Sequence, residues 1–242
     1  MKTFENFKNY IVVKATESSA CNIEITKAKQ SNNFAELFQV IKDNINWSIS
    51  NKLINTEILL NYVDDLDLVA NGFYVKKEFT EFTESNTCLF STKVEILKAN
   101  ILNMSGTSSV GRMSGTSSVG RMYDTSSVGE MSDTSSVGRM YDTSSVGEMS
   151  DTSSVGRMYG TSSVGRMYGT SSVGEMSDTS YVGRMYDTSS VGRMYGTSSV
   201  GEMSDTSSVG RMSGTSLYKK YIPFGKTKLY IKKDAFEIVE IE

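Results

Sequence analysis

The sequence predicts a mainly β protein: a parallel β-solenoid (a β-roll) of nine-residue repeats, two to a coil, behind a small α-helical N-terminal cap. Three observations lead there. Thirteen of the fourteen methionines recur every nine residues from Met104 to Met212. Every copy keeps a valine, from Val110 to Val209. The basic residues segregate, with all eight Arg between Arg112 and Arg211 and all seventeen Lys outside that stretch. The unit is M-[YS]-[DG]-T-S-S-V-G-[RE], in twelve full copies and a thirteenth that decays after Ser216.

Residues 1–86 read as a mostly helical capping region. Phe34, Leu37, Phe38, Ile41 and Ile45 form one apolar stripe at helical spacing, opened by Asn33 as N-cap. Thr56 is the expected cap of a further helix carrying Ile58, Leu59 and Val63. After Asn71-Gly72 the pattern turns to strand, and residues 87–103 are apolar enough (Leu89, Phe90, Val94, Ile96, Leu97, Ile101) to form the first coils. The array itself runs over 104–216.

Ser- and Gly-rich low complexity also describes a flexible linker. A linker has no reason to keep one Val and one Met in every copy. Met, Thr, the first Ser, Val and Gly do not vary among the full copies, whereas Arg alternates with Glu, Tyr with Ser and Asp with Gly. Strand alternation from an inward Val puts the first Ser inside and the second outside, where Tyr181 occurs once. Asp or Gly fits a turn between two short strands, since both tolerate left-handed backbone, and the Gly after Val is the expected second corner.

Burying one Val and one Met cannot offset the entropy of ordering nine residues, so copies must stack. Two repeats per coil make eighteen residues, with three per coil as the alternative. At a spacing of eighteen, five of ten stacked Arg/Glu neighbours have opposite charge, and at twenty-seven only two of nine do. About six coils and a rod of roughly 30 Å follow. Tyr123, Tyr141 and Tyr159 then stack on one edge, and Tyr168 over Tyr186 on the other.

Residues 217–242 read as a C-terminal β cap. Leu217 and Tyr218 replace the repeat's second Ser and Val; Lys226, Lys228, Lys232 and Lys233 surround Leu229 to Ile231 and guard a last strand; Phe236, Ile238 and Ile241 are expected to pack on the final coil.

The chain resembles a group of short-repeat β-solenoid proteins of gut Bacteroidetes and their phages, a group without an established activity. The resemblance is carried by Ala20-Cys21, Asn44 to Trp47, Leu59-Leu60, Asn71-Gly72-Phe73-Tyr74-Val75, the array and the short end Asp234 to Glu240. Arrays of that group more often use an eight-residue unit with Asn-Ala-Thr-Val and Trp. The resemblance therefore implies architecture and a phage or mobile-element setting, not coil geometry or mechanism.

Chemistry is sparse. There is no His, which removes the commonest general base and metal ligand, and no nucleophile elbow, phosphate loop or paired-Cys metal motif occurs. Seven copies carry one Asp each without the Gly pair of calcium-binding rolls, too few oxygens for a calcium site. Asp64, Asp65 and Asp67 read as a solvated helix end, and Trp47 as core. No catalytic residue, cofactor or metal is expected. Cys21 and Cys88 can pair only with each other, and buried free thiols are the preferred reading. A net charge of -3 gives no polyanion-binding footprint. No apolar segment approaches the roughly 18 residues of a membrane span, and no signal peptide is expected. A cytoplasmic location, or a phage particle assembled there, follows.

The expected function is a non-enzymatic structural or protein-interaction rod. Tyr123, Tyr141, Tyr159, Tyr168, Tyr186 and Tyr195, with Arg139, Arg157 and Arg193, are its candidate interaction surface, because Tyr and Arg favour binding hot spots. A protein partner is expected, a membrane or nucleic acid is not, and the oligomeric state stays open. The alternatives are an anti-defence or regulatory nucleic-acid mimic, resting on an array charge of -3, and an ice-binding-like surface of Thr and Ser rows.

Overall fold

In the computed structural model, residues 2–222, 226–232 and 236–241 are described, with side chains from 2 to 217. Six helices come first: α1 (Phe4–Glu17), α2 (Asn22–Gln30), α3 (Phe34–Asp43), α4 (Ile45–Ser50), α5 (Thr56–Tyr62) and α6 (Asp65–Ala70). Asn33 caps α3 as its spacing predicts, its side chain accepting from the Glu36 N–H. For α5 the cap is Asn55, which accepts from the Ile58 N–H at 2.9 Å. Thr56 is the first helical residue instead, and its hydroxyl shares a hydrogen bond with Ser91.

Coils begin directly after α6, with β1 (Phe73–Val75) and β2 (Glu78–Phe82), then β3 (Cys88–Phe90), β4 (Lys93–Leu97) and β5 (Asn100–Ser105). One five-residue strand per repeat follows, from β6 (Ser109–Met113) to β17 (Ser208–Met212). Successive strands alternate between two parallel sheets. The first holds nine strands, from β1 through β17; the second runs from β2 through the even-numbered strands. It ends in β18 (Leu217–Ile222), β19 (Lys226–Lys232) and β20 (Phe236–Ile241), of which the last two pair antiparallel. The side chains of the expected C-terminal packing residues Phe236, Ile238 and Ile241, and of the guarding lysines, lie outside the described ones.

The ladder fixes the coil. Val146 pairs with Val164 and Met149 with Met167, an offset of eighteen residues. Two repeats therefore make one coil, and three are excluded. The earliest coils are shorter, with Phe73 opposite Cys88, an offset of fifteen. Because coils start at Phe73, the solenoid is longer than the array alone implies. The nine strands of the first sheet are separated by eight spacings of about 4.8 Å, which gives about 40 Å of rod.

The repeat strands read Ser-Val-Gly-Arg/Glu-Met, with Tyr181 once in place of Ser, and up to Met203 Val and Met, three residues apart, are both buried while the two residues between them face outward. Regular alternation forbids this. It is broken at Gly, which lies inside one strand; the expected second corner between two short strands does not form. An ideal Cβ on Gly147 would lie 2.5 Å from the Gly129 carbonyl oxygen one coil earlier, and the same approach repeats at Gly138 and Gly165. Only a residue without a side chain fits between coils there.

The one corner per repeat lies at the Asp/Gly position. All of these residues, such as Asp142 (φ 56°) and Gly160 (φ 66°), are left-handed, as expected. The next residue explains the invariant Thr. Both the N–H and the hydroxyl of Thr143 donate to the Asp124 carbonyl of the coil before, at 3.1 and 3.0 Å. β-Branching restricts the Thr rotamer and so holds that hydroxyl in place.

Val and Met from successive coils form one continuous core that runs from Val94 and Leu97 to Met212. A second core belongs to the helices and joins the first sheet from outside. Phe7 meets Phe38 at 5.5 Å, Phe38 meets Phe73 at 4.5 Å, and Phe73 meets Phe90 at 6.1 Å. The cap thus covers the outer face of the first sheet at its start, with Trp47 packed against the helical core. Cys88 is buried there, whereas Cys21 is exposed at the start of α2, so only one of the two free thiols is buried.

The close approach makes a direct prediction. Gly147→Ala should destabilise the rod by about 1–3 kcal/mol in thermal melts followed by circular dichroism. Ser145→Ala, two residues away and half-buried, should change stability by no more than about 0.5 kcal/mol. Equal melting of the two variants would contradict the packing described.

Candidate functional site

The outward Arg/Glu positions form one column on each sheet. On the first sheet the order is Arg121, Arg139, Arg157, Glu175, Arg193 and Arg211; on the second it is Arg112, Glu130, Glu148, Arg166, Arg184 and Glu202. All five opposite-charge neighbours form ion pairs: Arg112–Glu130 (3.0 Å), Arg166–Glu148 (2.6 Å), Arg184–Glu202 (3.0 Å), Arg157–Glu175 (2.9 Å) and Arg193–Glu175 (2.8 Å). These pairs are largely exposed and each stabilises by ~0–1 kcal/mol. The two columns differ in sum. Five Arg stand against one Glu on the first sheet, and three against three on the second.

Among the candidate surface residues, the tyrosines stack as the eighteen-residue coil requires. Tyr123 and Tyr141 lie 4.8 Å apart with planes 7° from parallel, Tyr141 and Tyr159 5.1 Å apart, and Tyr168 and Tyr186 5.0 Å apart. Tyr195 shares the edge of Tyr159 but is separated from it by the Ser177 coil. Tyr141, Tyr159, Tyr168, Tyr186 and Tyr195 are half-buried. Tyr123 is not a surface residue: it is 5% exposed, and its hydroxyl donates to Asn46 Oδ1 of the helical cap at 3.1 Å. Burial pushes its phenol up to about 12. Arg157 and Arg193 are exposed and share Glu175, while Arg139 is half-buried between Arg121 and Arg157. Hydrogen bonding to Tyr159, then Glu175, raises the Arg157 pKa.

The Asp residues are used by the backbone. Each of the seven carboxylates accepts the N–H of the corner residue one coil earlier, as Asp124 does from Gly106 (2.8 Å) and Asp178 from Gly160 (3.0 Å). Among the described residues no three His, Cys, Asp or Glu gather as a metal site. Asp64 and Asp65 of the acidic helix end face Lys2 and Lys77.

The first Ser of each copy is buried, as alternation predicts, and Tyr181 in place of the second is 42% exposed. Ser189 and Ser207 donate to the carbonyl three residues back. Ser126, Ser144 and Ser162 share that backbone geometry but turn their hydroxyls away from any partner. These hydroxyls face a sealed interior and reach no solvent-accessible substrate.

Sequence reasoning missed a furrow. The Gly positions leave a strip without side chains down each sheet, between the second Ser and the Arg/Glu columns. On the second sheet it opens beside Gly147, Gly165 and Gly183, and the Tyr181 hydroxyl reaches over Gly201. The strip follows from placing Gly mid-strand, a position that its assignment to a corner concealed. The charge difference between sheets was available by reading every second copy separately.

No protein-family model matches the chain, and comparisons with curated proteins and with solved structures give no match.

Two measurements test these placements. Asp142→Ala should cost about 1 kcal/mol more than Asp142→Gly, because Ala must adopt left-handed backbone that Gly accepts freely. Equal cost would contradict the corner geometry. Burial also raises the Cys88 thiol to about 12. For Cys88 and Tyr123 the folded state favours the neutral group, so their contribution is complete below the ordinary values of 9.0 and 10.0 and is lost as pH climbs toward 12. Denaturant melts between pH 7 and 11.5 should show Cys88→Ala and Tyr123→Phe each losing less stability with rising pH than the parent.

Proposed function

We propose that this β-solenoid repeat protein is a non-enzymatic structural rod whose outer columns engage a partner. One observation supports the reading above the rest: the invariant residues are consumed in building the rod. Val, Met and the first Ser are inside, Gly fills the gap between coils, and Thr closes the corner. What varies faces outward. An enzyme would place its fixed residues in an accessible site; here they make the scaffold.

Near-identical copies also suit a spacer whose length changes by whole coils, in the phage or mobile-element setting that the resemblance implies. The nucleic-acid mimic is less well supported, since one full face carries five Arg against one Glu. Ice binding loses its main argument because Thr hydroxyls such as those of Thr143 and Thr161 already donate to carbonyls. For membranes, no helix among the described residues is long and apolar enough to cross one.

Deleting residues 141–158 removes one coil and should leave a folded rod about 4.8 Å shorter, its melting midpoint within roughly 4 °C of the parent. Deleting 141–149 moves every later strand to the opposite sheet, including the C-terminal cap, and should melt clearly lower. If both deletions melt alike and neither shortens the particle in small-angle scattering, the rod reading is wrong.

A further inference from the structure

Overall composition carries no excess of positive charge, yet the coil sorts the charges by sheet. Arg121, Arg139 and Arg157 occupy three successive coils of the first sheet. Arg121 and Arg139 have no ion-pair partner among the described residues, and the Arg121 Nε is buried without a hydrogen-bond partner. Three like charges at one strand spacing repel, and among the described residues no ion pair neutralises the first two. The corner carboxylates of Asp124 and Asp142 accept backbone N–H groups and, among the described residues, form no ion pair with either arginine. Beside this column runs the glycine furrow, past Gly120, Gly138 and Gly156, and beyond that the outward hydroxyls of Ser118, Ser136 and Ser154.

We propose that this strip of the first sheet binds a linear polyuronate, an anionic polysaccharide with one carboxylate on each sugar ring. The proposal rests on the rod reading and names its partner class. Three features select the ligand. The first is spacing: the stacked tyrosines repeat at 4.8 and 5.1 Å along this edge. An extended acidic peptide presents same-side carboxylates about 6.6 Å apart, at two residues of strand rise, and falls out of step with the arginines. A pyranose ring spans close to one coil, so the same-side carboxylates of a two-fold chain, two rings apart, keep step with every second coil of the column, and a guanidinium binds each of them bidentately.

The second is the floor. Without side chains at Gly138 and Gly156, a flat ring can lie against the backbone, as the Tyr181 side chain lies over Gly201 on the other sheet. The Ser hydroxyls then face the ring's own hydroxyls. The third concerns the tyrosines. Single-stranded nucleic acid binds by stacking its bases on open aromatic faces, but Tyr123, Tyr141 and Tyr159 stack on one another and leave no gap for a base. The second sheet has the same furrow without the charge, since its column balances and Arg166 is tied to Glu148. It serves as the internal control.

The test measures binding of the full chain to polygalacturonate by titration calorimetry, at low and at high salt. Dextran, a single-stranded oligodeoxynucleotide and polyglutamate are the competitors. The expected result is polygalacturonate binding that weakens with salt and is preferred over all three. Arg121→Gln with Arg139→Gln should lose about tenfold or more in affinity, while Arg166→Gln with Arg184→Gln should stay within about twofold. Arg139→Gln alone is a second variant, in a column where Asn103 and Glu175 show that an amide or an acidic residue folds. No binding at low salt by a chain that retains its circular dichroism and rod length would overturn the polyuronate strip and leave the rod intact. Equal loss in both double variants, or preference for the oligonucleotide or polyglutamate, would overturn it too. A chain that fails to form a rod in the coil deletions indicts the rod reading instead.

Discussion

Between successive coils the backbone at each glycine comes so near the glycine carbonyl of the coil before that even a methyl group has no room, as Gly147 over Gly129 illustrates. That approach resets the side-chain alternation within a five-residue strand. Val and Met can then both turn inward from one strand, and two strands suffice to enclose a dry interior. With a side chain at this point the coils would separate or Met would face water, and the core from Val94 to Met212 would lose half of its lining.

Tight in-register stacking sends every residue type into a column, with consequences outside the core. Equivalent side chains meet at one strand spacing, which gives the tyrosine stacks and the five ion pairs. It also forces Arg121, Arg139 and Arg157 together. Corner bonds repeat the same logic in the backbone, where Thr and Asp each reach the adjacent coil. The rod is thus bonded along its axis at the core, the ladder and the corner, and its outside is a lattice of polar columns.

Much of this was legible in the sequence because strict repetition makes each position a comparison with its twelve counterparts. The inward first Ser, the outward Tyr181, the left-handed corner and the eighteen-residue coil all follow from which residues vary. What was hidden involves contact between different parts of the chain. The burial of Tyr123 depends on Asn46, far away in sequence. The early coils have an offset of fifteen, so a nine-residue period does not detect them. Asn55 and Thr56 are both good caps, and the tertiary bond from Thr56 to Ser91 accompanies the choice of Asn55. The Gly after Val reads as a corner because unbroken alternation cannot turn Val and Met inward from one strand; the strand instead resets its alternation at Gly, and the furrow follows from that reset.

Disulfide scanning addresses the stacking most directly. In a Cys21→Ser background, Ser145→Cys with Ser163→Cys places two thiols opposite each other on neighbouring strands of one sheet, within the Cα separation of about 4.4–6.8 Å that a disulfide accepts. Ser145→Cys with Ser154→Cys puts them on opposite sheets. Oxidation should cross-link the first pair rapidly and leave the second reduced within each molecule. Cross-linking of the nine-residue pair in preference to the eighteen-residue pair would contradict the two-repeat coil.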